Sequence, residues 1–148
     1  MVSITVRTAG KPATWHLRTT VDTEPKTIRL RIDADPRLAA AVGGAARYLA
    51  DAAGIENEAV AQLQSAVIAA CREAFGHLSK DHPHLDVSLT RLSDRIEVSL
   101  SHEGVTASAE GGDSGAVPSG VDRIQYETQG NVAVTRLTKY INQGAPSR

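Results

Sequence analysis

The hydrophobic pattern of this chain changes period twice, and that change constrains the fold more than any other feature. Up to residue 35, apolar and polar residues alternate, as a strand with one buried face requires: Val2, Ile4 and Val6, then Trp15 and Leu17, then Ile28, Leu30 and Ile32. Breaks at Gly10-Lys11-Pro12 and Thr23-Glu24-Pro25 divide this stretch into up to three predicted strands, because proline fixes its own φ and lacks a ladder donor. At Asp35-Pro36 the period lengthens. Asp35 is a good N-cap and Pro36 suits the first helical position. Leu38, Val42, Ala45, Leu49 and Ala52 then recur every three or four residues, which predicts a helix over 36–53 stopped by Gly54. A second helix is predicted over 57–79, with Val60, Leu63, Val67, Ala70, Ala74 and Leu78 on one face and Ile68, Cys71 and Phe75 widening it.

Period two returns at Leu85, Val87 and Leu89, and continues at Ile96, Val98 and Leu100 beyond a polar turn at Ser93-Asp94. A second hairpin is predicted from Val121, Ile124 and Tyr126, the turn Gln129-Gly130-Asn131, and Val132 and Val134. Residues 101–120 are rich in Gly and Ser with no apolar period and are predicted to be a loop; Asn142–Arg148 reads as a tail. The predicted class is α+β, a two-layer sandwich with helices on one face of a mainly antiparallel sheet. Residues 1–25 form an extended N-terminal segment, 26–141 the domain and 142–148 a flexible tail.

Composition narrows the function. At 148 residues the chain has room for one domain of ordinary size. Lys plus Arg number 16 against 17 Asp plus Glu, so no basic excess is available to neutralise phosphates, and the five aromatic residues are too scattered to stack bases. No nucleic acid is expected as a partner. The apolar runs fall short of a membrane span, the N-terminus alternates as a strand does, and the single cysteine, Cys71, rules out an internal disulfide. A cytoplasmic protein is expected.

Several constellations invite a catalytic reading. Gly112-Asp113-Ser114-Gly115 matches the tetrapeptide around a serine-protease nucleophile, but two central helices do not suit that architecture. His77, His82, His84, His102 and Cys71 include one zinc-compatible spacing, but an ordinary polar connection accounts for Asp81-His82-Pro83-His84, and no metal is expected. Gly43-Gly44 inside a helix costs about 1 kcal/mol per glycine relative to alanine, a cost that a close approach by another element or subunit would offset. Arg29, Arg31, Arg37 and Arg47 would suit an acidic partner helix.

The run Ala66-Val67-Ile68-Ala69-Ala70-Cys71-Arg72-Glu73-Ala74-Phe75-Gly76-His77 resembles the N-box helix of the GHKL ATPases, which have the Bergerat, or histidine-kinase-like, fold. It is most similar to that of the bacterial anti-sigma-factor serine kinases of partner-switching systems. Val121–Tyr126 and Thr138-Lys139-Tyr140 resemble that family's closing strands, and the likeness covers roughly residues 26–141. The resemblance implies Mg·ATP chemistry, in which an N-box Glu orients the attacking hydroxyl and an Asn holds Mg²⁺.

Position by position, however, the Glu falls on Ala69 and the Asn on Glu73, while His77 keeps the final His. The adenine-reading Asp of the D-x-G-x-G motif falls on His102, of whose glycines only Gly104 remains. Residues 105–120 are too few for a complete lid and its helix, so the lid is truncated. Loss of an activating group of this kind costs about 10²–10⁴ in rate. The expected function is therefore a non-catalytic, protein-binding regulator of transcription, an anti-sigma-factor-like or partner-switching component that occludes a sigma factor or antagonist. Ala69, Glu73, His77, His102 and Gly104 would mark a degenerate nucleotide pocket without catalytic residue or cofactor. Gly43, Gly44 and Arg47 would mark the docking surface, where a second copy of the chain would also fit. The alternative is an ATP-dependent serine kinase or ATPase in which Glu73 ligates Mg²⁺ and His102 or Glu103 reads adenine.

Overall fold

The computed structural model describes residues 3–8, 26–104 and 117–141. Its elements run β1 (Ser3–Thr8), β2 (Lys26–Asp33), α1 (Pro36–Ala52), α2 (Asn57–Phe75), β3 (His84–Arg91), β4 (Arg95–Glu103), β5 (Arg123–Gln129) and β6 (Val132–Tyr140). The strands form one sheet in the order β1-β2-β3-β4-β6-β5, and every neighbouring pair is antiparallel. The molecule is an α+β two-layer sandwich. The predicted strand around Trp15 and Leu17, the tetrapeptide Gly112–Gly115, most of the predicted loop and the tail lie outside the described residues.

α1 starts where Asp35 and Pro36 require. The Asp35 carboxylate accepts from Arg37 N–H at 2.9 Å, and Gly54, with φ +82, ends the element. α2 is shorter than its periodicity predicts, ending at Phe75 instead of residue 79. Leu78 continues the apolar pattern, but at Gly76 the ladder tightens to three-residue bonds, Gly76 N–H to Glu73 and His77 N–H to Ala74 at 3.1 and 2.9 Å, and beyond it the Ser79 hydroxyl accepts from the N–H groups of Asp81 and His82, at 3.1 and 3.2 Å. β4 runs past the predicted hairpin to Glu103, so His102 is a strand residue.

The core lies between the helices and one face of the sheet. Val42, Ala46 and Leu49 of α1 and Val60, Leu63, Val67 and Cys71 of α2 are buried together with Ile32, Leu85, Val87, Leu89, Ile96, Val98, Leu100 and Leu137. Alternate residues point the other way. There Arg29, Arg31, Asp86, Ser88, Ser99 and Ser101 line a shallow depression of about 390 Å³, and among the described residues no helix covers it. β6 lies between β4 and β5. Gly120, at φ +102, lies directly on the backbone of Gln62 and Leu63 in α2, where there is no room for a Cβ.

Candidate functional site

A cavity of about 90 Å³ opens between α2 and the end of the sheet. Successive turns of α2 place Ala66, Ala69, Ala70, Glu73 and Ala74 along one wall, since residues three and four apart share a helical face. Opposite them stand His102 of β4, Ile124 and Tyr126 of β5 and Thr135 of β6. The register explains this wall. His102 faces Ala133, Leu100 faces Thr135, and Thr135 faces Tyr126, so these side chains belong to adjacent rows across the strands. Of the five residues that mark the pocket in the sequence, Ala69, Glu73 and His102 line this cavity. His77 and Gly104 lie just outside it, packed against each other: a Cβ on Gly104 would come 3.3 Å from the His77 carbonyl.

His102 is the least ordinary member, being 7% exposed on a strand whose other inward residues are aliphatic. Its Nδ1 lies 3.0 Å from its neighbour's carbonyl, Glu103 O. A carbonyl only accepts, so Nδ1 carries a hydrogen. That contact turns one edge of the ring toward the backbone of the Glu103–Gly104 turn. Ala69 and Glu73 are exposed at the rim, and Glu73 has no side-chain hydrogen bond or ion pair among the described residues. A methyl group, a carboxylate and a backbone-tied imidazole can present apolar contact and one negative charge. They do not form an acid–base pair.

Next to the cavity lies a cluster absent from the sequence reading. Glu103 Oε1 accepts from Ser79 Oγ at 3.1 Å and lies 2.9 Å from His82 Nδ1, while Asn131 Nδ2 lies 3.4 Å from Glu103 Oε2. Chiefly the His82 contact, then the Ser79 hydroxyl, holds the Glu103 carboxyl below its usual range. Ser79 donates to the carboxylate, not to the histidine, so the trio is a clasp and not a nucleophile with its base. Nothing in the local sequence pairs residue 82 with 103; their proximity depends on where α2 ends. Among the described residues, His77, His82, His84 and His102 do not assemble a metal site either. His84 Nδ1 lies 3.4 Å from Asp33, Cys71 is buried, and among the described residues no three His, Cys, Asp or Glu side chains are placed to hold an ion.

On α1, Gly43 is buried against α2, where a Cβ would sit 2.5 Å from Ile68 Cγ1, whereas Gly44 opens to empty space. Arg47 donates to Gln64 at 3.0 Å and lies 3.9 Å from Asp51. The close approach at Gly43 therefore belongs to the chain's own second helix. Tyr48, 67% exposed beside Gly44 and Arg47, is the aromatic side chain that the sequence reading passed over on this ridge. Its position outside the stripe of Val42, Ala46 and Leu49 was the available signal. The arginines expected to await an acidic partner are mostly occupied: Arg31 makes two bonds to Asp86, at 2.8 and 3.3 Å, and Arg37 binds Asp35. The chain matches no family model and no curated protein.

Proposed function

We propose that the chain is a non-catalytic regulatory domain of histidine-kinase-like fold that acts by binding another protein, in the manner of an anti-sigma factor or partner-switching component. The observation that carries this reading is the cavity on the N-box-like helix. It brings together Ala69, Glu73 and His102, the three positions where the resemblance calls for a catalytic Glu, a magnesium-holding Asn and an adenine-reading Asp. Its volume of about 90 Å³ is well below the roughly 300–1,000 Å³ of sites that enclose drug-sized ligands. The two-layer arrangement, one sheet with its helices on one face, is compatible with a fold of this kind. The exposed ridge Gly44, Arg47 and Tyr48 supplies an aromatic and a guanidinium, the side-chain types in which protein interfaces concentrate their binding energy.

The test is a melting-temperature titration with Mg·ATP and Mg·ADP. A ligand at 100 times its Kd adds about 2.7 kcal/mol of stability, a shift that is easily measured. The expected outcome is no shift at millimolar nucleotide, together with direct binding of a purified sigma factor or antagonist domain that Tyr48→Ala weakens. A magnesium-dependent shift abolished by Glu73→Ala would replace this reading with the ATP-dependent kinase.

A further inference from the structure

The sheet ends at β5, and among the described residues nothing pairs with its outer edge. The ladder identifies which backbone groups lie there. Gly104 N–H donates to the Asn131 carbonyl at 2.8 Å, so odd-numbered residues on the β6 side bond toward β4. Even-numbered residues of β6 then bond toward β5, as Thr138 does in accepting from Asp122 N–H at 2.7 Å. Through the register Arg123↔Thr138, Gln125↔Arg136 and Glu127↔Val134, the odd residues of β5 are the ones engaged. The N–H and C=O groups of Ile124, Tyr126 and Thr128 therefore point off the sheet. Native proteins blunt such edges with proline, lysine or an irregular backbone, because an open edge recruits another strand. The β5 sequence, RIQYETQ, contains no proline, glycine or lysine.

We infer that a second copy of this chain pairs with β5 edge to edge and antiparallel, about a twofold axis through Gln125, joining the two sheets into one. The strand's own sequence selects that register. With Gln125 facing its symmetry mate, Ile124 faces Tyr126 and Arg123 faces Glu127, each pair occurring twice. Ile124 and Tyr126 lie on the helix side and are half-buried, so the inner face of the seam is apolar. On the outer face Arg123 is exposed and makes no ion pair among the described residues, and it would meet the carboxylate that Arg136 already holds at 3.0 Å. Moving the dyad to Tyr126 would set Arg123 against Gln129 and lose both ion pairs. A slip of one residue would oppose outward to inward backbone groups and exchange the faces. This inference rests on the strand alone and is independent of the regulatory reading.

Because Ile124 and Tyr126 form the hydrogen-bonded pairs, the Gln125 pair is of the closer, non-hydrogen-bonded kind, with Cα atoms about 4.5 Å apart and within disulfide reach. Sedimentation equilibrium of the full chain over the micromolar to submillimolar range is expected to show a monomer–dimer equilibrium. Mild oxidation is expected to link Gln125→Cys into a covalent dimer but not Thr128→Cys, whose mate lies far along the seam; native Cys71 is buried and silent. Arg123→Glu places two carboxylates opposite each other and is expected to weaken association about tenfold or more, with circular dichroism unchanged. A chain that stays monomeric throughout overturns the inference. So does a dimer that is indifferent to Arg123→Glu and leaves Gln125→Cys unlinked, because its contact would lie elsewhere.

Discussion

Gly43 and Gly44 are adjacent in sequence and opposite in consequence. At Gly44 a Cβ meets nothing within 4 Å, so Gly44→Ala adds helix propensity without a clash and is expected to stabilise the protein by about 0.5–1 kcal/mol. At Gly43 the same methyl would sit 2.5 and 2.8 Å from two carbons of Ile68. Overpacking of this kind costs about 1–3 kcal/mol, more than the propensity gain, so Gly43→Ala is expected to lower the melting temperature. Ile68→Val in the same background should recover part of the loss. Thermal melts of the variants check both signs. From the sequence, both glycines could be seen to carry a helical cost. Which one is repaid depends on α2, because neighbours in a helix are about 100° apart and only a known packing partner separates them.

At the scale of elements, periodicity was a sound guide to type and a poor one to extent. Ile28–Ile32, Leu85–Leu89 and Ile96–Leu100 alternate because one sheet face is buried, and those strands lie where the pattern puts them. Periodicity misplaces the end of α2 because the apolar pattern runs on through Phe75 and Leu78, whereas the helix stops at Gly76, where the last N–H groups bond three residues back. That early ending has an energetic sequel. It frees His82 and Ser79 to meet Glu103 and tie the α2–β3 connection to the end of β4. The folded-state Glu103 carboxyl titrates below its ordinary value of 4.5, so in that range the folded protein binds fewer protons there than the unfolded chain. The clasp therefore contributes fully above the ordinary value, and its contribution fades as pH falls through the lowered one. Melting temperatures taken from pH 6 down to about 3 should fall less steeply for Glu103→Gln than for the parent protein. Equal slopes would mean that the clasp does not couple to folding.

For the molecule as a whole, the two layers and the antiparallel sheet were readable, but the strand order was not. A β5–β6 hairpin can join β4 through either strand, and hydrophobic alternation is identical in both cases. The choice of β6 makes β5 the edge and brings Tyr126 and Thr135 to the cavity, which is why the sequence led to Ala69, Glu73 and His102 but not to their neighbours. The same layering encloses Cys71 completely, and burial pushes its thiol up to about 12. Since the thiolate is the reacting species, burial protects the native thiol both by excluding reagent and by keeping it protonated. Alkylation of the native chain thus becomes a clock for the core. Labelling should be slow in buffer and accelerate with urea in step with global unfolding, as followed by mass spectrometry. Rapid labelling without denaturant would mean that α2 lifts from the sheet as a unit of its own.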